Sequence, residues 1–131
     1  MVSASTTTSS SSSSSSEETR RQILTAAELL FAEHGVDGVS MREITRTASQ
    51  ANTNAAQYHF GSRSALVTAI LDRHRPEIDA RRHALLDLYD DGGADDLRAL
   101  AAAFVLPLAA KLADPSGRAY LRIIGELIDQ H

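Results

Sequence analysis

The chain has 131 residues, enough for one ordinary domain or a small domain with part of a second. Apolar residues make up 43% of it, so a core can form, and 5% aromatics with no Trp suggest one built from Leu, Ile, Val and Ala. Having no Cys excludes disulfide frameworks, thiolate metal sites and Cys nucleophiles, and a net charge of −4 gives no bulk attraction for nucleic acid.

No basic segment followed by an apolar one opens the chain. The richest apolar run, Leu97 to Leu112, carries Arg98, Pro107 and Lys111 and is a poor membrane span. A cytoplasmic protein with no membrane partner is therefore expected. Met1 to Ser16 is Ser/Thr-rich, uncharged and ends in eight consecutive serines, so it reads as a disordered tail.

The first helix is expected after Ser16, with Glu17 and Glu18 near its positive dipole end. Ile23, Ala27, Leu30, Phe31 and His34 fall on one helical face, and Gly35 ends it with a positive φ. Ser40 and Glu43 form an S-x-x-E capping box, and Val39 and Ile44 a hydrophobic staple, which starts a short second helix over Met41 to Ala48. Ser49 to Ala51 is the turn and Asn52 the expected cap of a third helix, from Thr53 to Phe60. Only Ala56 and Phe60 of that helix read as clearly inward, so neighbours must clamp it. Thr53, Asn54, Gln57 and Tyr58 share its outer face. A solvated face normally carries Glu and Lys; Asn, Gln, Thr and Tyr suit the reading of base edges.

Gly61 and Ser62 break and recap the chain. Leu66, Val67, Ile70, Leu71 and His74 mark a fourth helix that Pro76 ends or kinks. A fifth, with Ile78, Leu85, Leu88 and Tyr89 inward, runs to the Asp90–Gly93 stop, and Arg81-Arg82-His83 reads as a solvated cationic face. Asp95-Asp96 starts a sixth helix whose stripe is Leu97, Leu100, Ala101, Phe104, Leu108 and Leu112. Asp114 to Gly117 reads as a turn, and Tyr120, Leu121, Ile124, Leu127 and Ile128 mark a last helix. With no β-alternation, the fold class is all-α: a disordered tail over 1–16, a helix-turn-helix DNA-binding domain over 17–75 and a partial α-helical ligand-binding and dimerisation domain over 76–131. The middle segment is neutral, with 7 basic and 7 acidic residues between Glu17 and Arg75, while the last carries 6 and 10. Placed arginines, not a broad basic field, must supply any affinity for DNA.

The stretches TRRQILTAAELLFAEHG, SMREIT and QYHFGSRSAL, from Thr19 onward, resemble the TetR family of bacterial transcriptional repressors. The ordered run Tyr58-His59-Phe60-Gly61-Ser62-Arg63 followed by Leu66 carries most of that resemblance. It implies a dimer on a palindromic double-stranded DNA operator, responsive to a small-molecule effector. Ser40 and Met41 match phosphate-contacting positions at the second helix, and Arg42 a position that reaches a base edge. Thr53, Asn54, Gln57 and Tyr58 match base-facing positions, and His59 and Arg63 phosphate clamps. Leu85, Phe104, Leu108, Tyr120 and Ile124 are candidate effector-pocket residues and equally good core.

Some positions depart from the family pattern. Ile44 to Tyr58 is one residue longer than in the commonest members, and Ser49 and Gln50 stand where Gly and a small apolar residue are frequent. Ala56 replaces a bulkier aliphatic, and Ser64 a frequent Glu. Leu121, Ile124 and Ile128 form a candidate dimer stripe. No metal-ligand motif, phosphate-binding Gly loop or nucleophile–base pair stands out, so neither an enzyme nor a cofactor is expected. A helical protein-interaction module without DNA binding is the alternative reading.

Overall fold

A computed structural model of the chain describes residues 3–92 and 97–130, with side chains described for 15–88 and 97–130. Among the described residues the fold is all-α, with no strand. The helices are α1 (Ser3–His34), α2 (Met41–Thr47), α3 (Ala55–Phe60), α4 (Arg63–Gly92), α5 (Leu97–Ala109) and α6 (Pro115–Asp129), with 3-10 turns at Val36–Gly38 and Ala110–Ala113. Two compact units divide between Leu66 and Val67.

In the first unit α1 packs on both α2 and α3, and α2 packs on α3. Ile23, Ala27, Phe31, Ile44 and Ala56 are wholly buried. Val39, at 1% exposure, and Ile44 occupy the two staple positions, and the Ser40 hydroxyl accepts the Glu43 N–H at 3.1 Å. Gly35 takes φ 84° and its N–H closes on the Phe31 carbonyl, so the chain leaves α1 through a conformation that a side chain resists. Ser62 caps α4 as expected, its hydroxyl accepting the Ala65 N–H at 3.1 Å.

Three expectations about element boundaries are corrected. Helix α1 does not begin after Ser16 but extends back to Ser3, through the serine run that read as a disordered tail. Serine is a mediocre helix former, yet extending a helix already held by packing from Ile23 onward requires no new nucleus. Pro76 lies inside α4, which continues through it to Gly92, so the expected fourth and fifth helices are one. Asp114 to Gly117 is not a free turn. Asp114 is the N-cap of α6, its carboxylate accepting the Gly117 N–H at 2.7 Å, with Pro115 opening the helix. The expected start of a helix at Asp95-Asp96 lies outside the described residues, as does the Tyr89 side chain.

The second unit also buries a different face of α5 from the one its Leu and Phe residues mark. Ala103, Pro107 and Lys111 are inside, whereas Leu97, Phe104 and Leu112 are exposed by 78%, 55% and 57%. Just beyond α5 the backbone comes close to α6: a Cβ on Gly117 would fall 2.8 Å from the Lys111 carbonyl carbon and closer still to its oxygen. At that approach only glycine fits. Ile123, absent from the expected stripe of α6, is wholly buried, and Tyr120 is 7% exposed.

Candidate nucleic-acid interface

The joint between α2 and α3 determines which side chains face outward. Ser49 adopts the left-handed conformation at φ 57°, its N–H reaching the Arg46 carbonyl, while the Gln50 N–H reaches the Thr45 carbonyl. This pair of bonds is a Schellman closure of α2. A serine here strains the turn by about 1 kcal/mol, which accounts for glycine being frequent at this position in the resembling family.

Beyond the turn, the Asn52 side chain accepts the Asn54 N–H at 3.0 Å, and its carbonyl accepts the Ala55 N–H. Asn52 thus closes an Asx turn and is not the cap of the helix; α3 starts at Ala55 with Asn54 at the cap position. Thr53 and Asn54, expected in the first turn of the helix, precede it.

The clamp on this two-turn helix is a residue that sequence reasoning missed. Thr45 is 2% exposed, and its hydroxyl donates to the Met41 carbonyl at 2.9 Å while accepting the Ala56 N–H at 3.1 Å. One buried oxygen thereby joins α2 to the first turn of α3. Ala55 and Ala56 are both buried against this joint, so the small residue that replaces a bulkier aliphatic gives α3 room to approach α2. The far end of α3 is tied by Arg20, also missed. Its Nη1 donates to the His59 carbonyl at 2.9 Å and its guanidinium lies 4.4 Å from the Phe60 ring centroid. Phe60 is consequently half-buried, where a fully inward ring was expected.

What remains outside is polar. Thr53, Asn54, Gln57 and Tyr58 are exposed, Tyr58 by 79%, with its ring edge-on to His59 at 5.1 Å between centroids. Ser40 and Arg42 are exposed on the neighbouring helix, with Met41 half-buried. Arg42 and Arg46, one turn apart on α2, line a concavity of about 360 Å³ together with Thr45, Gln50 and Thr53. Arg46 was not singled out in the sequence, although its i, i+4 spacing from Arg42 was the available signal.

Two of the expected contact residues are already engaged. Gln57 Nε2 donates to the Gly61 carbonyl at 2.6 Å. Arg63 Nη1 donates to the carbonyls of Asp37 and Val39 at 3.1 Å each and approaches that of Val36 at 3.5 Å, so it fastens the loop before α2. A guanidinium has further donors, and the side chain is exposed.

This arrangement, a capped helix, a tight turn and a short polar helix held from behind, coincides with a family match. Residues 23–70 match the model for bacterial regulatory proteins, tetR family. The segment carries the match to that family's N-terminal helix-turn-helix domain. It is thus a DNA-binding domain of a transcription regulator, and Thr45, Arg46 and Ala56 all lie within the matched residues. Neither the curated proteins nor the solved structures gave a match to the chain.

In the second unit the five candidate pocket residues do not share one cavity. Leu108, Tyr120 and Ile124 line a concavity of about 290 Å³ with Leu71, Ile78 and the charged Arg75, Asp79 and Arg82. Leu85 lines a separate one of about 300 Å³ with Arg81, Ala84, Leu106 and Pro107. Phe104 lines neither; it is exposed, with the Arg82 guanidinium 5.6 Å from its ring centroid. Arg82 is therefore not the purely solvated charge expected of Arg81-Arg82-His83. No described helix is long and apolar enough to cross a membrane, and no group of three or more described His, Asp or Glu residues could hold a metal ion.

Proposed function

We propose that the chain acts as a cytoplasmic repressor that binds a palindromic double-stranded DNA operator as a homodimer and is released by a small-molecule effector held in its second unit. The observation that carries this reading is the outer face of α3. It exposes Thr53, Asn54, Gln57 and Tyr58 beside the Arg42–Arg46 row of α2, while every apolar residue of that helix is at least half-buried.

With α3 in the major groove, Asn54 and Gln57 suit the donor and acceptor pair of adenine, and Arg42 the paired acceptors of guanine, worth about 1–3 kcal/mol of discrimination each. Gln57 exchanges its bond to the Gly61 carbonyl for one to a base. Tyr58 presents a hydroxyl and a flat ring. Ser40, Met41, His59 and the remaining donors of Arg63 hold phosphates, which position the domain without reading sequence. Because the DNA-binding region is electrically neutral, specificity rests on these few contacts and the salt dependence is shallow. A dimer presents two such helices to half-sites about 34–36 Å apart. An effector acts by binding one spacing of the two helices more tightly than the other.

The test is a fluorescence titration of the full chain against genomic fragments, with its mass in solution measured alongside. Selective binding that drops about tenfold or more in Arg42→Ala and in Tyr58→Ala supports the proposal. A dimer of confirmed mass that binds all fragments alike overturns it.

A further inference from the structure

We infer that the concavity of the second unit takes a small amphipathic organic acid, its carboxylate held by Arg75, Arg82 and the Tyr120 hydroxyl and its apolar body laid on Ile78, Leu108 and Ile124. The inference rests on the effector-responsive reading above and gives that effector a chemical class.

Charge is the first support. The second unit is acidic, with 8 Lys and Arg against 11 Asp and Glu from Val67 to His131, yet this concavity is lined by two arginines and one aspartate. Neither arginine is held hard by its partner. Arg75 reaches Asp72 at 2.9 Å, but both side chains are more than half exposed, and such pairs contribute little. Arg82 meets Asp79 only at 4.0 Å, while its Nε donates to the Ala103 carbonyl at 3.4 Å and its guanidinium faces Phe104. The head of Arg82 is thus located from two sides with its carboxylate contact the loosest, which suits it to exchange that contact for a ligand's.

Tyr120 supplies the second support. Its ring is stacked on His74, 4.5 Å between centroids, and only 7% of the residue is exposed. No hydrogen bond is made to its hydroxyl among the described residues, although the oxygen is not sealed from solvent. The hydroxyl is thus free of partners among those residues and open to an acceptor in the concavity that its residue lines. Burial raises the pKa of this phenol above its ordinary value, so it stays a donor, and Arg75 and Arg82 both act on it in the opposite sense. The hydroxyl and the two guanidinium groups therefore share one locality.

Size and the remaining charge narrow the class. About 290 Å³ is at the small end of ligand sites and fits a short-chain or single-ring acid. Asp79 at the same rim disfavours a second negative charge, so a monoanion is preferred over a dicarboxylate.

Calorimetric titration of the full chain without DNA tests this, using hexanoate and benzoate against hexan-1-ol and hexylammonium. Saturable binding of an acid, with neither the alcohol nor the amine bound, is expected. Arg82→Gln should weaken that binding about tenfold or more, and Tyr120→Phe by a few-fold, with helicity and melting intact. Asp79→Asn should strengthen it. Equal binding of hexan-1-ol, an unchanged affinity in both Arg75→Gln and Arg82→Gln, or no acid bound at about 10 mM overturns the inference. Because no DNA is present, that outcome leaves the DNA-reading proposal standing, and a failed operator titration leaves the acid site standing.

Discussion

Each unit contains a pair of helices joined by a tight corner, and the two corners solve the same problem with opposite surfaces. At the α2–α3 corner the helices are held by a buried hydrogen bond from Thr45 and by two alanines, and the side chains turned outward are polar. At the α5–α6 corner the backbone comes close at Gly117, Ala103 and Pro107 are buried, and the side chains turned outward include Phe104, Val105, Leu106 and Leu112. In both, a small residue stands at the close approach, Ala56 in one and Gly117 in the other. What differs is the chemistry left outside, hydrogen-bonding groups in one case and apolar surface in the other. A close-packed corner therefore does not by itself say what a helix pair is for; its outer face does.

The comparison breaks most severely at Gly117. Substituting alanine there sets a methyl group against the Lys111 carbonyl, which is main chain and has no rotamer to yield. Gly117→Ala should cost about 3 kcal/mol or more and melt the second unit, while circular dichroism still reports the first. Next in size is Thr45→Val, which keeps the shape but leaves the buried Ala56 N–H without its acceptor. A loss of about 1–3 kcal/mol in urea unfolding is expected, with a matching fall in operator affinity, and Thr45→Ser should recover most of both. If Thr45→Val binds and unfolds like the parent, the hydrogen bond is not what holds α3.

Removing a cap should do less. Ser40→Ala deletes the acceptor for the Glu43 N–H and should cost about 1 kcal/mol, readable as a lower melting temperature. The smallest effect is one of pH. Lys111, 3% exposed, places its Nζ 2.5 Å from Glu77 Oε2, and this bond, followed by its Coulomb attraction, lowers the Glu77 pKa below the ordinary value of 4.5. A carboxylate with a lowered folded pKa contributes stability that is present above its unfolded pKa and lost as pH falls through the folded one. The second unit should therefore melt progressively earlier on acidification below about pH 4.5, and Lys111→Met should flatten that slope.

Much of the first unit was legible in the sequence because its signals are local. A capping box, a staple, a glycine at the end of a helix and a 3.6-residue stripe each act within one or two turns, and each appears where its residues stand. The polar outer face beside α3 was legible for the same reason, since Thr53, Asn54, Gln57 and Tyr58 are exposed as their local spacing implies. Thr45, Arg20 and Arg46 were not, because their roles depend on partners across the fold: the Ala56 N–H, the His59 carbonyl and the groove beside Arg42. In the second unit the helical character of the segments could be read, but not which side of α5 is buried. Hydrophobicity marks Leu97, Phe104 and Leu112 as inward, yet all three are exposed while Ala103 and Pro107 are inside.

By itself, then, the sequence determined an all-α chain and the helix-turn-helix over residues 23–70 with its polar outer face, because these follow from periodicity, capping and side-chain chemistry along a short stretch. Only the tertiary structure decided that a buried threonine joins the two helices and that Pro76 leaves α4 unbroken. It alone gathered Arg75, Arg82 and Tyr120 around one concavity. Each of these depends on how closely two segments approach, a distance that no local pattern of residues encodes.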